Sequence, residues 1–313
     1  MNTLSRHDVV RELDSGVIVR DVRGVGKDHD APLVLHPGIG GTVHDFDRLI
    51  PHLDAERIIV VDTARAHALG KFATHHSPDA PWRNPLQFTT IDTYVELYDD
   101  TVRELIGDDT FRTIDYSWAG VRGLAYELTH PGRVERATYV ATVPIIPAEL
   151  PTPTAVYAVN QPDRSASWLL QHGPAMYGGV DQDGRDIARH PESLLSTSAQ
   201  RAIDPEAYAH QQDIAYTPLA QLRLGMLAAQ LHLIQTPSLV LAGERDPLVP
   251  PANAHSLHAR LARSALRLHP DAGHLLLEFQ APFSAQTINA FHAGAFDSEI
   301  QTHRIRHSLV LAA

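Results

Sequence analysis

The chain has 313 residues, 37 acidic against 26 basic side chains and a formal charge of −11, which argues against nucleic acid as a partner, because such binding needs a basic footprint. It contains no cysteine, so disulfides and thiolate metal sites are excluded. The stretch Met1-Asn2-Thr3-Leu4-Ser5-Arg6 lacks the apolar core of a signal peptide, and no apolar run is long enough to span a bilayer; a cytoplasmic protein with no membrane partner is expected.

Residues 16–24 alternate with period two and end in Gly24-Val25-Gly26, which predicts an edge strand of a hairpin. Residues 31–36 form a short buried-type strand that ends in Pro37-Gly38-Ile39-Gly40-Gly41. A helix is expected from Val43, with Phe46, Leu49, Ile50 and Leu53 as its apolar stripe, and residues 57–62 are the next buried strand. From 63 to 90 there is no periodicity, and Pro78, Pro81 and Pro85 interrupt the stretch; a loop this long in a compact domain is usually functional. Its His75, His76 and Asp79 fit a solvated loop better than a metal site, because adjacent histidines point apart and no ligand spacing is present. Helix returns over 91–106.

Residues 110–121 read Thr-Phe-Arg-Thr-Ile-Asp-Tyr-Ser-Trp-Ala-Gly-Val: a β-rich run, a sharp turn at Ser117, and a helical pattern toward Pro131. Strand, serine-bearing turn and helix together make a nucleophile-elbow arrangement. Serine also caps helices, and the turn alone fits either role. A further strand covers 136–142, and Pro144, Pro147, Pro151 and Pro153 mark departure from the sheet. Residues 145–231 show aromatic and helical patches without buried strands, which predicts a helical cap. The sheet returns with a strand at 237–243, a helix over 251–263, a strand at 265–269 and a helix over 281–292. Strands alternating with helices predict an α/β fold with a mostly parallel, doubly wound sheet. The expected division is core 1–144, cap 145–231, core 232–296 and a tail 297–313.

In such a sheet, reactive groups belong just beyond strand carboxyl ends. Ser117, Asp246 and His274 each meet that requirement, and the order Ser…Asp…His is the one α/β-hydrolases use. Glu244 competes with Asp246 for the acid role but is expected to face solvent, and His269 belongs to the strand itself.

These stretches resemble the α/β-hydrolase family from Val17 to Phe291. Tyr-Ser-Trp-Ala-Gly at the elbow, Met176-Tyr177-Gly178-Gly179, the run from Pro237 to Pro250, and Asp271-Ala-Gly-His-Leu-Leu-Leu are similar to the intracellular medium-chain poly(3-hydroxyalkanoate) depolymerases. The resemblance implies a serine hydrolase of carboxylic esters, needing no cofactor and no metal, with Ser117 as nucleophile, His274 as base and Asp246 orienting it. The backbone N–H groups of Ile39 and Trp118 would hold the oxyanion, and Gly38 would let the loop approach the substrate. Trp168, Met176 and Tyr177 are the cap side chains assigned to substrate, although packing of the cap explains such residues as well. A small apolar acyl ester or oligoester is the expected partner, and the oligomeric state is left open. Lactone or carbon–carbon bond hydrolysis, or cofactor-free perhydrolysis, uses the same machinery, and a non-catalytic ligand binder is the third alternative.

Three positions depart from the family's pattern. Pro37-Gly38 stands where His-Gly is usual, with His36 displaced one position earlier; Asp115 occupies the small-residue position two before the nucleophile; and Asp62-Thr63-Ala64-Arg65 replaces a glycine-rich turn. A buried Asp115 requires a hydrogen-bonded partner or a raised pKa.

Overall fold

The short apolar runs become strands covered on both faces, as the central strands of a parallel sheet must be. A computed structural model describes residues 7–24, 31–63, 91–142, 166–197 and 225–301. The strands are β1 (His7–Glu12), β2 (Ile18–Arg23), β3 (Leu33–His36), β4 (Arg57–Asp62), β5 (Phe111–Tyr116), β6 (Val134–Val140), β7 (Ser238–Gly243) and β8 (Ser264–His269). The helices are α1 (Ile91–Ile106), α2 (Ala119–Thr129), α3 (Ala166–Tyr177), α4 (Pro251–Arg260), α5 (Leu276–Phe279) and α6 (Ala281–His292). One sheet runs β1-β2-β4-β3-β5-β6-β7-β8. Pairing is antiparallel for β1/β2 and β2/β4 and parallel from β4 through β8.

The chain leaves β3 toward β4 and then returns to place β5 on the other side of β3. That reversal opens a crevice beyond the carboxyl ends of β3 and β5, where open α/β sheets bind ligands. One face of the sheet packs Phe111 and Tyr139 against Tyr94 and Val102 of α1 and Val121 and Leu124 of α2. The other packs Leu35, Ile114 and Leu241 against Phe46, Leu49, Ile288 and Phe291. A third cluster joins Trp168, Leu169, Met176 and Tyr177 of α3 to Leu248, Val249, Leu275 and Phe279.

Several expectations are corrected. Residues 18–23 are not the edge: β1 lies outside them, and its six exposed side chains give no alternating apolar signal. Residues 43–49 form successive tight turns rather than a helix, with Asp45, Asp47 and Leu49 amides bonding three residues back and only Ile50–His52 closing into a 3-10 turn. Val43, Phe46, Leu49 and Ile50 are buried nevertheless, because their near-threefold spacing suits a 3-10 turn as well as a helix face. The helix expected over 251–263 stops at Arg260, and Leu261 and Ala262 go into the core ahead of β8, which starts at Ser264. The tail begins with helical residues 297–301, anchored by buried Ile300. Within the segment expected as a cap, the described residues 166–197 hold α3, an isolated bridge between Val180 and Asp186, and a 3-10 helix Pro191–Ser196. The stretch with His75, His76 and Asp79 lies outside the described residues.

Candidate active site

β5 is buried along its whole length and delivers Ser117 to the crevice. Ser117 adopts φ 56°, a left-handed conformation that residues with a side chain rarely take. Its amide donates to Val140 O at 2.8 Å, which ties the turn to β6. Close neighbours then demand glycine. A Cβ on Gly120 would lie 2.4 Å from Thr142 Cγ2, and one on Gly38 would lie 2.9 Å from Ser117 Cβ. Gly38 therefore borders Ser117 directly.

Asp246 follows β7 and is almost fully buried. Its Oδ1 accepts the amides of Leu248 at 2.9 Å and Val249 at 2.8 Å, which leaves Oδ2 free to take His274 Nδ1 at 2.8 Å. His274 Nε2 lies 3.2 Å from Ser117 Oγ. With Nδ1–H donating to the carboxylate, the Nε2 lone pair faces the serine hydroxyl, the tautomer a general base requires. Glu244 is exposed, and the carboxylate that meets His274 is that of Asp246. His269 ends β8, with its ring edge-on to Phe283 at 4.5 Å and its pKa lowered by burial.

The histidine is held from two sides that the sequence did not reveal. Tyr116 Oη donates to His274 O at 2.9 Å, and burial pushes this phenol's pKa well up, so it remains a donor. The His274 amide donates to Tyr177 O at 2.7 Å. Around that bond the backbones are in contact: a Cβ on Gly273 would sit 2.0 Å from Tyr177 O, one on Gly178 2.4 Å from Arg245 O, and one on Gly179 2.1 Å from Gly273 N. Met176-Tyr177-Gly178-Gly179 thus locks the loop carrying Asp246 to the loop carrying His274. Met176, Tyr177 and Trp168 are buried in the cluster beneath that contact. The usable signal was the Gly-Gly pair, since both residues take positive φ, 56° and 75°.

Trp118 is the first residue past Ser117, at the start of α2, and Ile39 follows Gly38 on the opposite lip. The amides of both lack a backbone acceptor among the described residues. Of the departures, His36, Asp115, Asp62 and Thr63 are buried: Asp115 meets His36 Nδ1, and Asp62 and Thr63 lie at the end of β4, where Thr63 Oγ1 accepts from Arg122; Ala64 and Arg65 lie outside the described residues. Among the described residues no cluster of three or more His, Asp or Glu is arranged to hold a metal, and no helix is long and apolar enough to cross a membrane.

This chain belongs to the α/β hydrolase fold family, whose sequence profile matches residues 31–281. It is 26% identical over 286 residues to a poly(3-hydroxyalkanoate) depolymerase of Ectopseudomonas oleovorans, covering 90% of each chain. Among solved structures it is similar to a serine hydrolase from the polyaromatic hydrocarbon-degrading bacterium Cycloclasticus zankles, with TM-score 0.68, 17% identity, and 94% and 100% of the two chains covered. A meta-cleavage product hydrolase from Pseudomonas fluorescens gives TM-score 0.65 at 15% identity, with 90% and 96% covered. At these identities the structural likeness speaks to fold alone.

Proposed function

We propose that the protein is a serine hydrolase that cleaves carboxylic esters through an acyl-enzyme on Ser117. The observation that carries this reading is the imidazole of His274 spanning Ser117 Oγ at 3.2 Å and Asp246 Oδ2 at 2.8 Å. Ser117 Oγ attacks the acyl carbonyl carbon while its proton passes to His274 Nε2. The carbonyl oxygen becomes an oxyanion that accepts hydrogen bonds from the amides of Ile39 and Trp118. Collapse expels the alkoxide, which takes the proton from His274 and leaves as an alcohol. Water then attacks the acyl-enzyme, gives its proton to His274, and the second tetrahedral species releases the acid and restores Ser117. Asp246 stays ionised throughout, fixing the tautomer and stabilising the imidazolium.

A medium-length apolar acyl ester or oligoester is the substrate class this reading favours. It is supported by the depolymerase relative and by the apolar character of α3, which lies against the loops carrying Asp246 and His274. In this reading the inserted segment is a cap. Gly38 gives the substrate access to Ser117, while Trp168, Met176 and Tyr177 act by shaping the wall rather than by polar contact.

A panel of p-nitrophenyl esters of graded chain length, run beside lactones and diketones, tests the assignment. The expected result is turnover of esters with a preference for medium chains, reduced at least about 10⁴-fold in Ser117→Ala and His274→Ala. Turnover of a lactone or diketone with failure on every ester would move the protein to the neighbouring reaction class. No turnover of any of them by folded protein would favour a ligand binder.

A further inference from the structure

Two departures from the family's pattern meet in space. His36 and Asp115 are register partners in the adjacent parallel strands β3 and β5, both on the face covered by α1 and α2, and His36 Nδ1 contacts Asp115 Oδ1. Both are nearly inaccessible, at 4% and 1% exposure, so neither can rely on water for a partner. The other carboxylate oxygen is pressed against α2, where a Cβ on Gly123 would fall 2.5 Å from Asp115 Oδ2. Next to Gly123 stands Arg122, itself buried: its Nη2 donates to Pro37 O at 3.2 Å, its Nη1 to Thr63 Oγ1, and its guanidinium lies 5.2 Å from the centre of the Tyr94 ring. Tyr98 closes the pocket from α1, edge-on to His36 at 4.3 Å.

The chemistry of these groups is mutually dependent. A lone carboxylate or imidazole buried here would be costly, and the Nδ1–Oδ1 contact offsets part of that cost for both; among the described residues His36 Nε2 and Asp115 Oδ2 have no hydrogen-bond partner, and the buried Arg122 guanidinium interacts electrostatically with Asp115. Burial holds the His36 pKa below its usual value, although Asp115 pulls it the other way; Arg122 adds to the lowering. A neutral imidazole donating Nδ1–H to a carboxylate is the arrangement that follows. Every member then touches the backbone that carries one oxyanion donor or the nucleophile: His36 precedes Pro37 directly, Arg122 grips the Pro37 carbonyl, and Asp115 lies two residues before Ser117.

We propose that His36, Asp115 and Arg122 form a buried positioning network that sets the Pro37-Gly38-Ile39 loop against the elbow, so that the Ile39 amide is held in place for the oxyanion at Ser117. The network takes over the job that a small residue before the nucleophile and a His-Gly loop do elsewhere in the family. This inference rests on the hydrolase reading above. All three side chains are buried, so in this reading their loss misplaces a transition-state donor and leaves ground-state binding alone.

The test is steady-state ester kinetics on His36→Ala, Asp115→Ala, the double variant, His36→Asn and Arg122→Gln, each confirmed as folded by circular dichroism. The single alanine variants and Arg122→Gln should lose roughly 10- to 100-fold in kcat, with KM within about threefold of the parent, the scale expected for a misplaced donor. His36→Asn keeps an N–H for Asp115 and should recover most of the loss. The double alanine variant should lose less than the product of the two single losses, because once one member of the His36–Asp115 pair is gone the other has no contact with it left to lose. If an alanine variant does not fold, His36→Asn against Arg122→Gln carries the comparison. Parent-like kcat in His36→Ala or Arg122→Gln, or losses confined to KM, would overturn the network. Strictly multiplicative effects in the double variant would also overturn it. An inactive parent would instead bring down the hydrolase reading. The downfield imidazole proton of His36, present in the parent and absent in Asp115→Ala, reads the pair independently of turnover.

Discussion

Ser117 holds a left-handed backbone because its surroundings leave it no other: the Val140 carbonyl takes its amide, and Gly38 and Gly120 allow neighbours to close in. At this scale the chain itself singles out Ser117, Asp246 and His274, since each follows a strand end, and the structure brings the three side chains within hydrogen-bond distance of one another. Their supports were not readable. Tyr116 looked like a strand residue, yet its hydroxyl carries the His274 carbonyl, and the meeting of His36 with Asp115 depends on the β3/β5 register. Tyr116→Phe keeps the ring and deletes the donor, leaving a buried carbonyl unsatisfied. It should lower stability by about 1–2 kcal/mol and ester kcat roughly three- to tenfold. Denaturant unfolding and kinetics check this, and parent values in both would show that the bond carries no weight.

Elements were legible where periodicity and burial agree. β3, β4, β5 and β7 are short apolar runs, and α1 has a clean amphipathic stripe. β1 escaped because an outer strand with six exposed side chains has no buried face to pattern. The turns after Gly41 were misread because near-threefold apolar spacing does not separate a helix from tight turns, and Pro51 further removes a donor that a continuing helix would use. The loop-locking role of Gly178 and Gly179 is a contact between distant backbones, which no local pattern encodes. It can be measured against a control on the same segment. Gly179→Ala places a Cβ 2.1 Å from Gly273 N at φ 75°, whereas Gly184→Ala has φ 76° and nothing within 4 Å. Gly184→Ala should cost about 1–2 kcal/mol, the backbone strain alone. Gly179→Ala should cost at least about 2 kcal/mol more and also lower ester kcat, as overpacking moves the His274 loop. Equal unfolding midpoints for the two variants would mean that the loops are not held by this contact.

At the scale of the whole molecule, the eight-stranded sheet and its helices follow from alternating strands and helices, while most of the inserted segment gave only composition to read. One buried acid in the core ties global stability to pH. Glu127 of α2 accepts the Tyr139 hydroxyl, and burial pushes its carboxyl up from 4.5 to about 7; Thr236 and Tyr139 oppose the shift, and Asp115 adds to it. A raised folded pKa means that the native state binds the proton more tightly than the unfolded chain. Stability from this group is therefore complete below about 4.5 and is lost as pH rises to about 7, a decline of roughly 3 kcal/mol. Glu127→Gln removes that titration, so the unfolding midpoint of the variant relative to the parent should climb between pH 4.5 and 7 and level off above. A difference independent of pH would contradict the assignment.

The claim beneath all of this is that the Ser117 hydroxyl is activated by His274 and forms a covalent intermediate. Reaction with a fluorophosphonate followed by peptide mass spectrometry asks it directly. Stoichiometric modification at Ser117 is expected, lost in Ser117→Ala and slowed by orders of magnitude in His274→Ala; unmodified Ser117 in folded protein, or labelling indifferent to His274, would exclude a His274-activated serine.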